Sequence, residues 1–184
     1  MKYYNIFFLI LFLLLNINSL QAQSSDQSAT ESSFSKDYMK EIDAAKDKLL
    51  ALAEAIPQDK FGWRPGEGVR SVSEVFMHVF GANYFILTYV GGKLPEGFNR
   101  DMETKVTDKA EVTKYLKDSY NNLANVISTL DEKTLDDPVE FFGTKSTKRH
   151  LLFILMDHNH EHLGQLIAYS RMNGITPPWS MKQQ

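Results

Sequence analysis

Three of the five histidines are spaced so that they could hold one metal ion together. His158 and His162 lie four positions apart in a segment with helical periodicity, so their imidazoles stand about 40° apart around the helix axis. Two ring nitrogens on one side of a helix can then reach the same ion. His160 points about 200° away from each member of the pair, and His150 lies two turns earlier. Both are therefore left out of the predicted site.

The spacing of this pair alone leaves a second interpretation open, namely two partly exposed histidines on a polar stripe. The stripe is apolar, however, because Leu151, Leu155 and Leu166 flank the pair at helical intervals. The pair is therefore expected to face the interior of the protein. Buried neutral imidazoles need partners, and a metal ion supplies one to both rings.

His78 is the third candidate ligand, on the stripe of another predicted helix that also carries Glu74 and Phe85. A single histidine on such a face is more often a hydrogen-bonded core residue than a ligand. A histidine pair on a facing helix favours the ligand interpretation, because helical bundles build metal sites from the side chains of neighbouring helices. Three histidine ligands leave a coordination position for water or substrate, as in catalytic zinc sites.

Four segments with helical periodicity must position these residues, and together they predict an all-α fold. A capping box of Ser71 and Glu74 marks the start of the second helix, and Thr147 is the expected N-cap of the fourth. The predicted helices span residues 34–55, 71–90, 108–130 and 147–173.

The connections between these helices are predicted to be irregular. Glycine and proline mark 61–70 as a loop, 131–146 is expected to be a loop as well, and no alternating apolar run indicates a sheet. The segment 92–107 is long for a loop inside a compact domain. Its length suits a crossover connection between the second and third helices.

The first 33 residues are predicted to direct export. Residues 1–22 carry Lys2, an apolar run and a cleavage-site pattern, which together predict a secretory signal peptide. An uncleaved membrane anchor is the alternative, although the apolar run is shorter than the roughly 20 residues of a membrane span. Residues 23–33 are polar and are expected to form a flexible tether, which leaves 34–180 as one domain. We therefore expect a periplasmic or secreted protein without stable membrane insertion after cleavage.

The composition excludes several classes of function. The formal net charge is −3 and there is no basic tract, so the chain lacks the electrostatic footprint of nucleic-acid binding. It has no cysteine, which excludes thiol nucleophiles and lipid attachment at cysteine. Any metal site must therefore use His, Asp or Glu, and histidine nitrogens suit zinc, nickel, copper and iron(II).

Two regions of the sequence carry a recognisable pattern of motifs. The first has Met77-His78-Val79 downstream of Arg64-Pro65, and the second is the run His158-Asn-His-Glu-His162-Leu-Gly164-Gln165. These regions resemble the DinB/YfiT-like family of candidate metalloenzymes. The resemblance implies a four-helix bundle with a long crossover between helices 2 and 3, frequent homodimers, and a divalent metal site at His78, His158 and His162.

The resemblance and the residues together predict a metal-dependent enzyme of hydrolase or transferase type that activates water or a thiol. Characterised relatives include transferases that act on low-molecular-weight thiols, which are chiefly cytosolic, whereas this chain is expected to be exported. The substrate is expected to be a small molecule whose identity the sequence does not give. Two other interpretations stay open, namely a non-catalytic metal-binding module and a stress-related dimer with a vestigial site.

Several side chains are candidates for the surroundings of the metal. Glu74, one turn before His78, is the nearest candidate general base, with a plain helix cap as the alternative. Gln165 and Asn83 would orient a ligand or water, or else form hydrogen bonds between packed helices. Two loop residues, Trp63 and Arg64, would line the rim of the pocket.

Overall fold

The computed structural model of the chain describes residues 33–181, and this part is mostly helical. The predicted signal peptide at 1–22 and nearly all of the predicted tether at 23–33 lie outside the described residues. Within 33–181 no helix is both long and apolar enough to cross a membrane. The helices are α1 (Phe34–Ala55), α2 (Val72–Leu87), the single-turn α3 (Met102–Lys105), α4 (Lys109–Ser128) and α5 (Lys148–Met172).

Short turns of 3₁₀ helix flank the long helices and mark where they end. One of them continues α2, and Gly91 follows it in the left-handed conformation with φ of 102°. Glycine is favoured there because it has no Cβ to clash with the backbone. These turns span Gln58–Lys60, Thr88–Val90, Glu132–Thr134 and Pro178–Ser180.

The N-terminal caps predicted from the sequence are confirmed. At the start of α2 the Ser71 hydroxyl accepts a hydrogen bond from the Glu74 amide, and the Glu74 carboxylate accepts one from the Ser71 amide at 2.7 Å. At the start of α5 the Thr147 hydroxyl accepts from the His150 amide. Each cap satisfies amide groups that have no partner within the helix, so it fixes the residue at which that helix begins.

The four long helices share one hydrophobic core. Helices α4 and α5 each pack against both α1 and α2. Burial of apolar side chains from all four helices drives this packing. The largest fully buried ones include Ile42, Leu49, Phe76, Phe80, Leu116 and Leu123. The contact between α2 and α5 places the helix that carries His78 beside the helix that carries His158 and His162.

A β-hairpin replaces most of the loop predicted at 131–146, so the prediction that the chain has no sheet is wrong. Strands β1 (Pro138–Phe141) and β2 (Thr144–Thr147) pair antiparallel, with Pro138 opposite Thr147. The two turn residues, Phe142 and Gly143, have φ of 49° and 77°, as in a type I′ turn. The sequence hides this hairpin because its strands are short and its turn lacks the usual Asn-Gly or Asp-Gly pair.

The connection between α2 and α4 is more ordered than the loop that was predicted at 92–107. It contains α3, which packs against α2, and its side chains Phe98 and Met102 pack against the hydrophobic core. A helix of one turn is too short to produce a periodic pattern in the sequence. The packing of α3 on α2 brings the Glu103 side chain next to His78.

The cap of α2 should contribute measurably to stability. Replacing Ser71 by Ala removes the hydroxyl that accepts a hydrogen bond from the Glu74 amide, so we expect the free energy of unfolding to fall by about 1 kcal/mol. Ser180→Ala is the matched control, because Ser180 is exposed. Urea unfolding at neutral pH measures both variants. Equal stability of the two variants would show that the cap does not stabilise α2.

Candidate metal centre

The structure brings the three predicted histidines together between α2 and α5. One potential ligand nitrogen from each of His78, His158 and His162 lies within 4.8 Å of the other two. The ring centroids are 4.9 Å apart for His78 and His158, 4.9 Å for His78 and His162, and 4.4 Å for His158 and His162. The one-turn spacing on α5 and the α2–α5 contact account for this convergence.

The other two histidines lie away from this cluster. His160 is exposed, and its Nδ1 contacts the Met156 carbonyl oxygen on the same helix at 3.0 Å. His150 is exposed in the first turn of α5, where its Nδ1 lies 2.9 Å from the Ser146 hydroxyl. Their omission from the predicted site therefore agrees with the structure.

Hydrogen bonds to two of the rings determine which nitrogen carries the proton. His78 Nδ1 lies 2.9 Å from a carboxylate oxygen of Glu103, and His162 Nδ1 lies 2.8 Å from the amide oxygen of Gln165. Both oxygens only accept hydrogen bonds, so each Nδ1 donates. In the neutral form of each ring the lone pair is then on Nε2, and that is the form of imidazole that binds a metal ion.

Glu103 is held between a cation and a histidine. Arg70 donates from Nε to one carboxylate oxygen at 2.6 Å, and His78 donates to the other. Partial burial acts to raise the pKa of Glu103, but the hydrogen bonds from Arg70 and His78 outweigh it and lower the pKa overall. Glu103 therefore stays ionised at neutral pH and holds the His78 ring in place. A carboxylate behind a ligating histidine is a common arrangement in metal sites.

Gln165 plays the corresponding part for His162. Its amide oxygen accepts from His162 Nδ1, and its amide nitrogen donates to the Tyr169 hydroxyl at 2.8 Å. Tyr169 in turn packs edge-on against Trp63, with ring centroids 5.3 Å apart. The structure shows neither of the two roles predicted for Gln165, since its hydrogen bonds join residues of the same helix and orient a histidine of the cluster.

His158 has a buried nitrogen with no partner within the described protein. Its Nδ1 is buried and makes no hydrogen bond there. Burial, together with the neighbouring His162 and His78 rings, lowers the pKa of His158 to about 3. Burial also lowers the pKa of His162. Both rings are therefore neutral at pH 7, and the unpaired nitrogen is a polar group for which a bound cation would compensate.

The residues present fit a divalent transition metal. In their neutral form, three imidazoles supply nitrogen donors of the kind that zinc, nickel, copper and iron(II) accept. A tetrahedral zinc ion with bonds of about 2.0–2.1 Å holds its nitrogen ligands about 3.3 Å apart. The separation of at most 4.8 Å between the three nitrogens is compatible with that spacing after a small inward adjustment of the rings.

Glu74 lies on the cap of α2, where its carboxylate is already engaged. It accepts hydrogen bonds from the Ser71 amide at 2.7 Å and from Arg64 Nη2 at 2.9 Å. Arg64 also donates to the Val69 carbonyl, which ties the loop before α2 to the start of that helix. These contacts favour the cap interpretation of Glu74 and give Arg64 a structural partner.

Asn83 belongs to a hydrogen-bonded group in the core. It is fully buried, donates to the Ser119 hydroxyl at 3.1 Å and accepts from Asn159 at 2.9 Å. Asn159 also accepts from the Tyr120 hydroxyl. Of the two roles predicted for Asn83, the structure shows the hydrogen bond between packed helices, which links α2 to α4 and α5.

A cavity of about 520 Å³ opens beside the histidine cluster. His78 and His158 line one part of it, together with Glu103, and most of the remaining lining is apolar. A small molecule could therefore reach the cluster from this side. The sequence did not indicate the cavity, because the side chains that line it come from α2, α5, the α2–α4 connection and the hairpin.

Comparison with known proteins places the chain in a family. The sequence model of the DinB superfamily matches residues 41–166, which is more than half of the chain. The chain belongs to the DinB superfamily. The matched residues include all three histidines, Glu103 and Gln165.

Known relatives of this DinB-superfamily chain agree with its fold. The uncharacterized protein YjoA of Bacillus subtilis (strain 168) is 27% identical over 128 residues, which cover 68% of this chain and 81% of YjoA. The crystal structure of a DinB-like protein from Bacillus cereus ATCC 10987 has a TM-score of 0.68 at 18% identity. The match covers 77% of this chain and 93% of the Bacillus cereus chain. The crystal structure of YjoA has a TM-score of 0.64 at 23% identity, and the match covers 80% of this chain and 99% of the YjoA chain.

The partly buried His158 of this DinB-superfamily protein should make its metal-free form sensitive to acid. His158 has a lower pKa in the folded state than in the unfolded state, so between about pH 6.5 and about pH 3 the unfolded chain binds more protons. The stability contributed by the neutral ring is therefore present above the unfolded pKa and is lost as the pH falls through this window.

We expect the metal-free protein to lose more stability than its His158→Gln variant between pH 7 and pH 5. The expected difference is about 1 kcal/mol, discounted for the partial exposure of the ring. Urea unfolding of both proteins in the presence of a chelator, at the two pH values, measures it. Equal losses in the two proteins would contradict the assignment of a buried, neutral His158.

Proposed function

We propose that the protein binds one divalent transition-metal ion through His78, His158 and His162 and uses it as a hydrolase or transferase that activates water or a thiol. The observation that carries this proposal is the convergence of three imidazoles from two helices. Zinc, nickel and iron are the candidate ions. Nitrogen donors accept all three, and the order of affinities alone does not select the one loaded in the cell.

The proposal includes the finer architecture of the fold. In it, the four long helices form a four-helix bundle of the DinB type, and the connection from Thr88 to Asp108 is the crossover between its second and third helices. The packing of α4 and α5 against both α1 and α2 supports this arrangement. Bundles of this kind hold metal sites between facing helices.

The chain's own residues would prepare the site for chemistry. A divalent ion bound there would act as a Lewis acid and lower the pKa of a water molecule or thiol. Glu103 and Gln165 hold two of the rings in the tautomer whose Nε2 atom is unprotonated, so these rings need no change of tautomer before they bind. With only three protein ligands, a position remains for substrate or water. The adjoining cavity gives a small molecule access to the cluster.

Glu74 as general base remains a prediction. Its contacts with Ser71 and Arg64 would have to be exchanged for a contact with the substrate before it could accept a proton. Glu103 lies closer to the cluster, but its lowered pKa makes it a weak base at neutral pH. We therefore assign Glu103 to positioning of His78.

A non-catalytic metal-binding module is the second candidate function, and one observation favours it. The two carboxylates considered for proton transfer, Glu74 and Glu103, are each engaged by an arginine. A site that only stores or senses a metal ion needs no free base. Turnover of ester, amide or thiol substrates that disappears with a chelator would favour the enzyme. Metal binding without turnover of any of these substrates would favour the module.

Export and self-association complete the proposal. The leader at 1–22 would direct the chain to the periplasm or the exterior, where a small-molecule substrate would reach the site, and the protein would act as a homodimer. The predicted leader supports export. The family resemblance supports the homodimer.

Removal of one histidine should abolish tight metal binding. We expect His158→Ala to weaken Zn²⁺ binding roughly a hundredfold or more, because two imidazoles remain where three converged. His160→Ala is the matched control, since it removes an exposed imidazole from the same helix two residues away. Elemental analysis and calorimetric titration of both variants measure the effect. Equal Zn²⁺ affinity in the two variants would refute the proposed site.

The carboxylate behind His78 should tune the affinity for the metal. Glu103→Gln keeps the shape of the side chain but removes the charge that favours the protonated Nδ1, so we expect Zn²⁺ binding to weaken about tenfold. Glu96→Gln removes a carboxylate from an exposed position in the same connection and should leave the affinity unchanged. Competition with a chelating dye measures both variants. An unchanged affinity in Glu103→Gln would show that Glu103 does not support the site.

A further inference from the structure

Five phenylalanine rings are part of the lining of the cavity beside the histidines, together with aliphatic and methionine side chains. Two pairs of these rings are in contact. The ring centroids of Phe80 and Phe98 are 5.8 Å apart, and those of Phe85 and Phe142 are 5.9 Å apart. The phenylalanines that line the cavity are Phe80, Phe85, Phe98, Phe141 and Phe142. Its volume of about 520 Å³ lies within the range of cavities that bind small molecules in proteins.

Gly81 keeps part of this cavity open. It lies in the middle of α2, where glycine disfavours the helix relative to alanine. A Cβ added to it would meet the Phe98 ring at 3.9 Å, which is ordinary contact, and no other atom lies within 4 Å. Neither backbone conformation nor crowding therefore requires glycine at this position. Its effect is to leave space between α2 and the aromatic rings.

Phe142 occupies a backbone conformation that is unfavourable for phenylalanine. Its φ of 49° is left-handed, a region that glycine, asparagine and aspartate adopt far more readily. The side chain is 75% exposed, yet it contacts Phe85 and Phe141 at the opening of the cavity. Neither turn geometry nor burial in the core explains a phenylalanine here. A contact with a molecule that enters the cavity would explain it.

Five polar or charged side chains line the cavity, and three of them belong to the histidine cluster or contact it. These three are His78, His158 and Glu103, which is hydrogen-bonded to His78, and the other two are Asn99 and Arg100. A molecule with an apolar body and one polar reactive group would match this distribution. Its body would displace water from the aromatic rings, and its polar group would lie beside the imidazoles.

We propose that this cavity is the substrate site and that it selects molecules with an aromatic body, with Gly81 and Phe142 as specificity-determining residues. We infer an aromatic substrate because phenylalanine rings form part of the cavity wall, and aromatic groups pack edge-on or offset against phenylalanine. The inference deepens the proposed function and rests on it for the role of the histidines.

The test uses the metal-free full chain, so that binding in the cavity is measured separately from metal binding. The probe is 2-naphthylmethanol, an aromatic alcohol, and myo-inositol is the polar comparison. Titration followed by ¹H–¹⁵N correlation spectra should give saturable shifts at the amides of Gly81 and Phe98 with the first compound and none with the second.

Two substitutions of Gly81 form a matched pair. Gly81→Leu fills the space between α2 and the Phe98 ring, so affinity for the naphthyl probe should fall about tenfold or more. Gly81→Ala adds only a methyl group at ordinary contact distance and should retain most of the binding. Equal affinity in the two variants would overturn the proposal.

Phe142→Asn provides a second test that does not depend on filling the cavity. Asparagine suits the left-handed turn position, so the melting temperature should not fall, whereas affinity for the probe should decrease several-fold because one aromatic contact is lost. An unchanged probe affinity in this variant would contradict the role of Phe142.

The outcomes for the cavity and for the metal site can be told apart. Saturable probe binding in a protein that takes up none of Zn²⁺, Ni²⁺ and Fe²⁺ would refute the proposed function and leave the aromatic site standing. Tight Zn²⁺ binding without any shifts from the naphthyl probe at Gly81 and Phe98 would refute the aromatic site alone. Shifts from myo-inositol equal to those from the naphthyl probe would also refute it.

Discussion

The convergence of three imidazoles where α2 packs against α5, with His162 buried and His78 and His158 partly buried, is the constraint on which the rest of the site depends. Desolvation disfavours the charged ring, which is why burial lowers the pKa of both His158 and His162. A neutral imidazole has a lone pair to offer, and a buried one gains by offering it. The same packing that forms the hydrophobic core therefore also produces three nitrogens that are suited to a cation.

The supports of this cluster come from different parts of the chain and connect it to the cavity. Gln165 and Tyr169 lie on α5 itself, so the position of His162 is set within one helix. Glu103 lies on α3, in the connection that also supplies Phe98 to the cavity. A molecule that moves this connection would also move the carboxylate behind His78. The metal centre and the cavity therefore both depend on the placement of α3 against α2.

The sequence predicted those features that repeat with the period of a helix. The bounds of α1, the caps at Ser71 and Thr147, and the histidine pair on α5 all follow from local spacing, and the structure agrees with them. Glu103 was not predicted, because it meets His78 across 25 positions through a helix of one turn that has no period of its own. The hairpin was missed for a related reason, since strands of four residues around a Phe-Gly turn give no alternating signal.

The central claim is that three imidazoles ligate one ion, and X-ray absorption spectroscopy at the zinc edge of the Zn²⁺-loaded protein tests it most directly. The account predicts a first shell that includes three nitrogen ligands at about 2.0–2.1 Å, with the outer-shell scattering of three imidazole rings. A shell made only of oxygen atoms, or one with fewer than three imidazole rings, would contradict it.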